Sequence, residues 1–289
     1  MSNVILYVSG LMGELTLKYL DEIECYTDVV YLNKNLLRRK TYGDFSNYKN
    51  KFNIIETDNQ KFQLSEIENK KYQYAVTIDW IKDYFVDTEK PFTVYHSQPS
   101  LLPLYRGYGA ISYQFLMGVK ISGITVYEEN NIIDGGDIIF QEKVNINYGD
   151  TPYNFIDKCS KILSQFIYKL KNGASFNKKP QDNNKAFYIA RTRNKQKIID
   201  FNSSAVSVYN FITAYAYPFN GSYFYYDGIK CKAHLSSIEK WQGNYGKAGE
   251  IIDVSDYGIE VACGEGSIII KEYSSVEDFN FIKEKIINN

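Results

Sequence analysis

The chain carries only two histidines, His96 and His234, in 289 residues, so chemistry that needs an imidazole has almost no choice of residue. Its four cysteines, Cys25, Cys159, Cys231 and Cys263, are scattered, with no CxxC pair. That spacing excludes a disulfide framework and a cysteine-based zinc site, and reads as reduced thiols in a reducing compartment. Neither sign of charge is in excess: 33 basic against 34 acidic residues leave a net charge of −1. A protein that grips nucleic acid displaces counterions with a basic face, so a nucleic-acid partner is not expected. No apolar run is long enough to span a bilayer. The opening MSNVILYVSG has no basic region ahead of its apolar stretch, which stops at Ser9-Gly10. A cytoplasmic protein with no membrane role is therefore the expectation.

Hydrophobic residues at 44% and charged residues at 23% suit a chain that forms a core. Aromatics reach 16%, with 27 Tyr and 17 Phe. They accompany abundant Asn, Lys and Ile, so compositional bias explains them better than a stacking surface. The length suits one large and one small domain.

The run Val4-Ile5-Leu6-Tyr7-Val8 is continuously apolar, as a strand covered on both faces should be. A glycine turn and a helical pattern (Leu15, Leu17, Leu20) follow, which is how a doubly wound α/β sheet opens. Further strands are predicted at 28–32, 52–56, 74–78, 92–96 and 123–128, with helices at 110–117 and 153–170. Gly10 and Gly13 supply only part of a dinucleotide fingerprint, and no acid stands in the right place after the second strand. The polar, proline-bearing KKPQDNNK at 178–185 marks a change of character. We expect an α/β domain at 1–178, with a mostly parallel Rossmann-like sheet, then a linker at 179–200. Beyond it, a helix at 204–214 and strands at 222–226, 229–236, 249–254, 258–263 and 267–273 predict a small antiparallel, OB-like β-barrel over 201–289.

The chemistry is concentrated in HSQPSLLPLYRGYGA, from His96 to Ala110, and GITVYEENNIIDGGDIIFQE, from Gly123 to Glu142. Ser100-Leu101-Leu102-Pro103, Tyr105-Arg106-Gly107 and Asp134-Gly135-Gly136-Asp137 resemble the loops of the formyltransferases that use 10-formyltetrahydrofolate. AYAYPFNGSYF at Ala214 to Phe224 and VACGEG at Val261 to Gly266 resemble that family's C-terminal barrel, so the likeness covers nearly the whole chain. Formyl transfer to an amine passes through a tetrahedral oxyanion. It calls for a base, an oxyanion donor and a carboxylate that orients the imidazole. In the family these are His, Asn and Asp, with no metal. Here His96 stands where the family has Asn, Gln98 where it has His, and Tyr127 where a second-loop histidine often lies.

Two readings follow. Either imidazole and carboxamide have exchanged places, so that His96 is the base, Gln98 the oxyanion donor and Asp134 the partner, or the site is altered and only binds. Two residues apart on an extended segment, His96 and Gln98 share a face. The resemblance implies contacts to the folate cosubstrate from Asp79, Trp80, Ile81, Ser100, Leu102, Gly136 and Asp137, and contacts to the acceptor from Ser9, Gly10, Met12, Arg106 and Gly107. Trp80 also reads as core, Asp137 as a turn cap, and Arg106 as orienting its own loop. Family acceptors include initiator methionyl-tRNA, nucleotide-linked amino sugars, glycinamide ribotide and hydroxyornithine. Balanced charge favours a dTDP- or UDP-linked amino sugar of the kind used in lipopolysaccharide biosynthesis. The basic cluster Arg191, Arg193, Lys195 and Lys197 keeps methionyl-tRNA as the alternative. A homodimer is among the expected assemblies.

Overall fold

The computed structural model describes residues 2–32, 43–57, 72–80, 92–189, 197–275 and 280–287. The chain divides into two compact units. One comprises Met1–Ala110, Ile121–Ile146 and Asn154–Ala190, the other Ile111–Lys120, Asn147–Tyr153 and Arg191–Asn289.

The first unit is a seven-stranded sheet formed by β1 (Val4–Val8), β2 (Asp28–Leu32), β3 (Asn53–Thr57), β4 (Tyr74–Ile78), β5 (Thr93–Gln98), β6 (Ile121–Glu128) and β7 (Ile138–Asn145). Their spatial order is β3-β2-β1-β4-β5-β6-β7. The first five strands run parallel, β6 runs antiparallel to β5, and β7 runs antiparallel to β6. The chain reverses direction across the sheet between β1 and β4, where open α/β sheets gather their ligands at the carboxyl ends of the strands. All five residues of β1 are buried, which is why its sequence lacks the alternation of a half-exposed strand. Ser9 is extended and Gly10 takes a φ of +62° as the chain turns into α1 (Gly10–Glu22), a conformation glycine adopts without steric cost. Helix α3 (Pro152–Lys171) buries Phe155, Ile156, Cys159, Leu163, Phe166, Ile167 and Leu170, a single stripe at helical spacing. Phe166 sits at its centre, with Phe140 at 5.3 Å and Phe176 at 4.8 Å between ring centroids.

The second unit holds α2 from its second residue (Ala110–Leu116) and α4 (Ala205–Ala214), capped by Ser204, whose hydroxyl accepts from the Ser207 N–H. Its antiparallel sheet contains β8 (Ser222–Tyr226), β9 (Ile229–Lys240), β10 (Ile251–Ser255), β11 (Gly258–Ala262) and β12 (Ser267–Ser275), in the order β10-β11-β12-β9-β8. Ala205, Val208, Tyr209 and Ile212 of α4 close over Phe224, Cys231, Ile259 and Ile268.

The expected strands are all present, with edges moved by a few residues, and β7 is an additional one. The expected linker divides. Residues 179–189 belong to the first unit, tied to it by reciprocal backbone bonds between Lys179 and Ile138 (2.8 and 2.9 Å). Residues 190–196, with Arg191, Arg193 and Lys195, lie outside the described residues, and Lys197 lies over the Tyr215 ring at 4.3 Å. No described helix is long and apolar enough to cross a membrane.

Candidate active site

Strands β5 and β6 pair with His96 opposite Tyr127 and Gln98 opposite Thr125. Directly opposed residues project to the same side, so the rings of His96 and Tyr127 stand 5.5 Å apart. His96 is almost wholly buried, at 2% exposure. Its Nδ1 meets the Thr77 hydroxyl at 2.7 Å, at the end of the neighbouring strand β4, and its Nε2 faces a Glu129 carboxylate oxygen at 3.5 Å. Asp134 stands in the loop between β6 and β7 with a φ of +51°, one of the non-glycine conformations that Asp tolerates better than most. Its Oδ2 accepts from the Gly107 N–H and its Oδ1 from the Tyr127 hydroxyl, each at 2.6 Å. Burial raises the Asp134 carboxyl from 3.8 to about 6, against the opposing pull of the Gly107 N–H. The imidazole is thus served by Thr77 and Glu129, while Asp134 holds Tyr127, the residue beside the imidazole.

The loop that carries Asp134 is closed by one steric requirement. A Cβ on Gly136 would sit 1.6 Å from the carbonyl oxygen of Glu128, so no other residue fits. Gly136 therefore serves backbone approach. Asp137 is half-buried, and its carbonyl accepts from the Glu128 N–H.

Several expected contacts are turned inward. Gln98 donates from Nε2 to the carbonyls of Tyr105 (3.2 Å) and Gly107 (3.1 Å). A carboxamide nitrogen has two hydrogens, so both are committed to the following loop and neither is left for an oxyanion. Arg106 is fully buried, and its guanidinium donates to Gln181, Asn183 and Tyr188. That arrangement rules against a direct grip on a substrate phosphate and matches the loop-orienting reading. Trp80 packs edge-on against Tyr7 at 5.4 Å within the core, so its ring is not an open stacking surface. Leu102 is buried against Tyr127 and Ile138. Ser100 is buried too, and its hydroxyl has no hydrogen-bond partner, while its carbonyl accepts from Thr125. At the crossover between β1 and β4, the Ser9 hydroxyl donates to the Asp79 carbonyl, and Asp79 itself is exposed, at φ +52°. Ser9, Gly10 and Met12 are buried. Ile81 lies outside the described residues.

Thr77, Glu129, Gln181, Asn183 and Tyr188 were not anticipated from the sequence. The sequence marks Tyr127 only as standing where the resembled family often has a histidine. Thr77 and Glu129 had a signal available, since both fall at or beside the ends of strands that flank β5. No group of three or more His, Cys, Asp or Glu side chains among the described residues is arranged to hold a metal.

Two family models match: "Formyl transferase" over residues 81–169 and "Formyl transferase, C-terminal domain" over residues 191–277. Among curated proteins, the chain is similar to methionyl-tRNA formyltransferase of Syntrophomonas wolfei, at 33% identity over 177 residues. That alignment covers 60% of this chain and 56% of the relative. The corresponding protein of Pseudothermotoga lettingae is 30% identical over 197 residues, covering 66% of this chain and 63% of the relative. The chain therefore spans less than two thirds of these relatives. In fold it resembles an N-formyltransferase from Helicobacter canadensis solved with folinic acid and dTDP-3-aminofucose, at TM-score 0.64 and 18% identity, covering 94% of this chain and 99% of that one. It also resembles WlaRD, a sugar 3N-formyl transferase solved with dTDP and 5-N-formyl-THF, at TM-score 0.65 and 17% identity, covering 96% and 99%.

Proposed function

Because the chain belongs to the formyl transferase family, we propose that it moves a formyl group from 10-formyltetrahydrofolate to the amine of a dTDP- or UDP-linked amino sugar. The observation that carries the reading is a buried imidazole and a buried carboxyl at the carboxyl end of the parallel strands, with Tyr127 beside the first and donating its hydroxyl hydrogen to the second.

The cosubstrate supplies the formyl group. The orphaned Ser100 hydroxyl fits such a ligand, because a buried donor without a partner suits a ring system rich in hydrogen-bonding atoms. Asp79 at its left-handed turn and Asp137 are the further contacts we assign to it. The amine loses its proton to His96. Thr77 holds the ring at Nδ1, and Glu129, facing Nε2, stabilises the imidazolium once the proton arrives. Asp134 accepts from the Tyr127 hydroxyl rather than serving the imidazole directly, and so holds the ring that lies beside it. Gln98 holds the Tyr105–Gly107 backbone on which the Asp134 carboxyl rests. We assign the chemistry to residues 1–178 and treat 201–289 as an accessory domain.

Balanced charge and the fold likeness to proteins solved with dTDP and dTDP-3-aminofucose support a sugar nucleotide as acceptor. The names of the curated relatives favour methionyl-tRNA as a second reading. Turnover of 10-formyltetrahydrofolate with dTDP- and UDP-amino sugars, set beside charged initiator tRNA, decides between them. Faster formylation of a sugar is the expected result. Transfer to tRNA alone, falling steeply with added salt, reverses the acceptor assignment.

A further inference from the structure

We infer that Gln181, in the polar stretch that the sequence reads as a tether, is a positioning residue that latches the Asp134 loop onto the Arg106 loop. Every hydrogen-bonding valence of its carboxamide is used. Oε1 accepts from Arg106 Nε (3.2 Å) and Nη2 (2.7 Å), and Nε2 donates to the carbonyls of Asp134 (2.9 Å) and Gly136 (2.6 Å). Arg106 is held on its other edges by Asn183 Oδ1 (2.9 Å) and the Tyr188 hydroxyl (2.8 Å), with the Tyr188 ring 5.4 Å from the guanidinium.

The result is a closed circuit. From Gln181 it runs through the Arg106 side chain to the Arg106–Gly107 backbone, through the Gly107 N–H to Asp134 Oδ2, and through the Asp134 backbone to Gln181 again. The carboxyl is gripped by its side chain from one loop and by its backbone from the other, and Arg106 anchors both grips. A residue that only filled space would bond to its local backbone. Gln181 reaches partners 45 to 75 positions away in sequence. The guanidinium's donors form a rigid fork, which fixes the direction in which each of these partners is held. Seating the Asp134 loop keeps water from the carboxyl, and that dry seat is what raises its midpoint.

The inference rests on the reading of Asp134 as a functional carboxylate, but its test needs no turnover. The Asp134 carboxyl resonance is followed by ¹³C NMR in aspartate-labelled protein and identified by its disappearance in Asp134→Asn. The wild type is expected to titrate near 6. Gln181→Ala, and Gln181→Met, which keeps the volume, should bring the midpoint down by about one unit or more, toward the ordinary carboxylate value. Asn183→Ala removes a different acceptor from Arg106 and leaves both Gln181–carbonyl bonds, so it should leave the midpoint where it is. An unchanged midpoint in folded Gln181 variants overturns the inference. So does an equal shift in Asn183→Ala, which would assign the effect to Arg106 as a whole. Unfolding of both Gln181 variants overturns it as well, by making Gln181 a residue of the fold at large. A chain that formylates no amine would leave these titrations unaltered, so the two failures are told apart.

Discussion

Asp134→Asn should stabilise the protein above neutral pH while it damages catalysis. Asp134 is 2% exposed, and its carboxyl is raised from 3.8 to about 6 by burial. A raised folded-state value means that the folded protein binds the proton more tightly than the unfolded chain does. The stabilisation is fully present below the unfolded value near 4 and is lost as pH rises through about 6. Two units correspond to about 3 kcal/mol, at roughly 1.4 kcal/mol per unit. Asparagine keeps the shape and both contacts: its carbonyl oxygen accepts from the Gly107 N–H, and its amide donates to the Tyr127 oxygen. It has no charge to bury. The stability difference between variant and wild type should therefore be near zero at pH 4 and approach about 3 kcal/mol at pH 8, equivalent to roughly 6–12 °C in melting temperature for a domain of this size. Paired thermal melts at pH 4, 5, 6, 7 and 8 measure it. In turnover assays the wild type should gain rate with pH through a midpoint near 6, and the variant should lose both the rate and that midpoint. A variant less stable than wild type at pH 8, or a difference that does not grow with pH, refutes the assignment of a desolvated carboxyl.

Three further perturbations probe the neighbours. His96→Asn removes the imidazole at the site and should cut turnover by about 10²–10⁴-fold while folate binding persists, as steady-state kinetics and equilibrium dialysis would register; undiminished turnover removes His96 from the mechanism. Tyr127→Phe deprives Asp134 Oδ1 of its donor, so the ionised carboxylate loses support and the midpoint of the pH–rate profile should move above about 6; a downward move contradicts the hydrogen-bond assignment. Gln98→Leu strands the carbonyls of Tyr105 and Gly107 and should cost about 1–3 kcal/mol for each in urea unfolding, whereas a side chain waiting for an oxyanion would cost the fold almost nothing.

The buried strands were plain in the sequence because a parallel strand with both faces covered must be continuously apolar, and the bounds of β1, β2 and β4 fall where the pattern put them. Strand β7 was harder. Its middle residues, Glu142 and Lys143, are exposed, and the turn-rich Asp134-Gly135-Gly136-Asp137 stands directly in front of it, so it lacks the continuous apolar run of the buried strands. At the site, the chemical groups were legible and their partners were not. His96, Gln98 and Asp134 all lie where the motifs directed, but the direction of two loop carbonyls decides that Gln98 is a clamp. Nothing local to residues 178–189 announces that Gln181, Asn183 and Tyr188 meet an arginine more than seventy positions away. Contacts of that separation leave no periodicity, and neutral polar residues beside a proline carry the same signature whether they tether or lock.

The pairing of His96 with Tyr127 across β5 and β6 has a consequence for what this site can become. Because side chains alternate along a strand, a one-residue insertion or deletion ahead of Tyr127 in β6 would turn that ring away and bring Val126 or Glu128 opposite His96. The frame of the ladder is therefore rigid in length and open in chemistry. A substitution on this face keeps the ladder's register, while a single slipped residue would dismantle the site. Variation here should arrive as substitution on the β5–β6 face, with changes of length confined to the connections outside it.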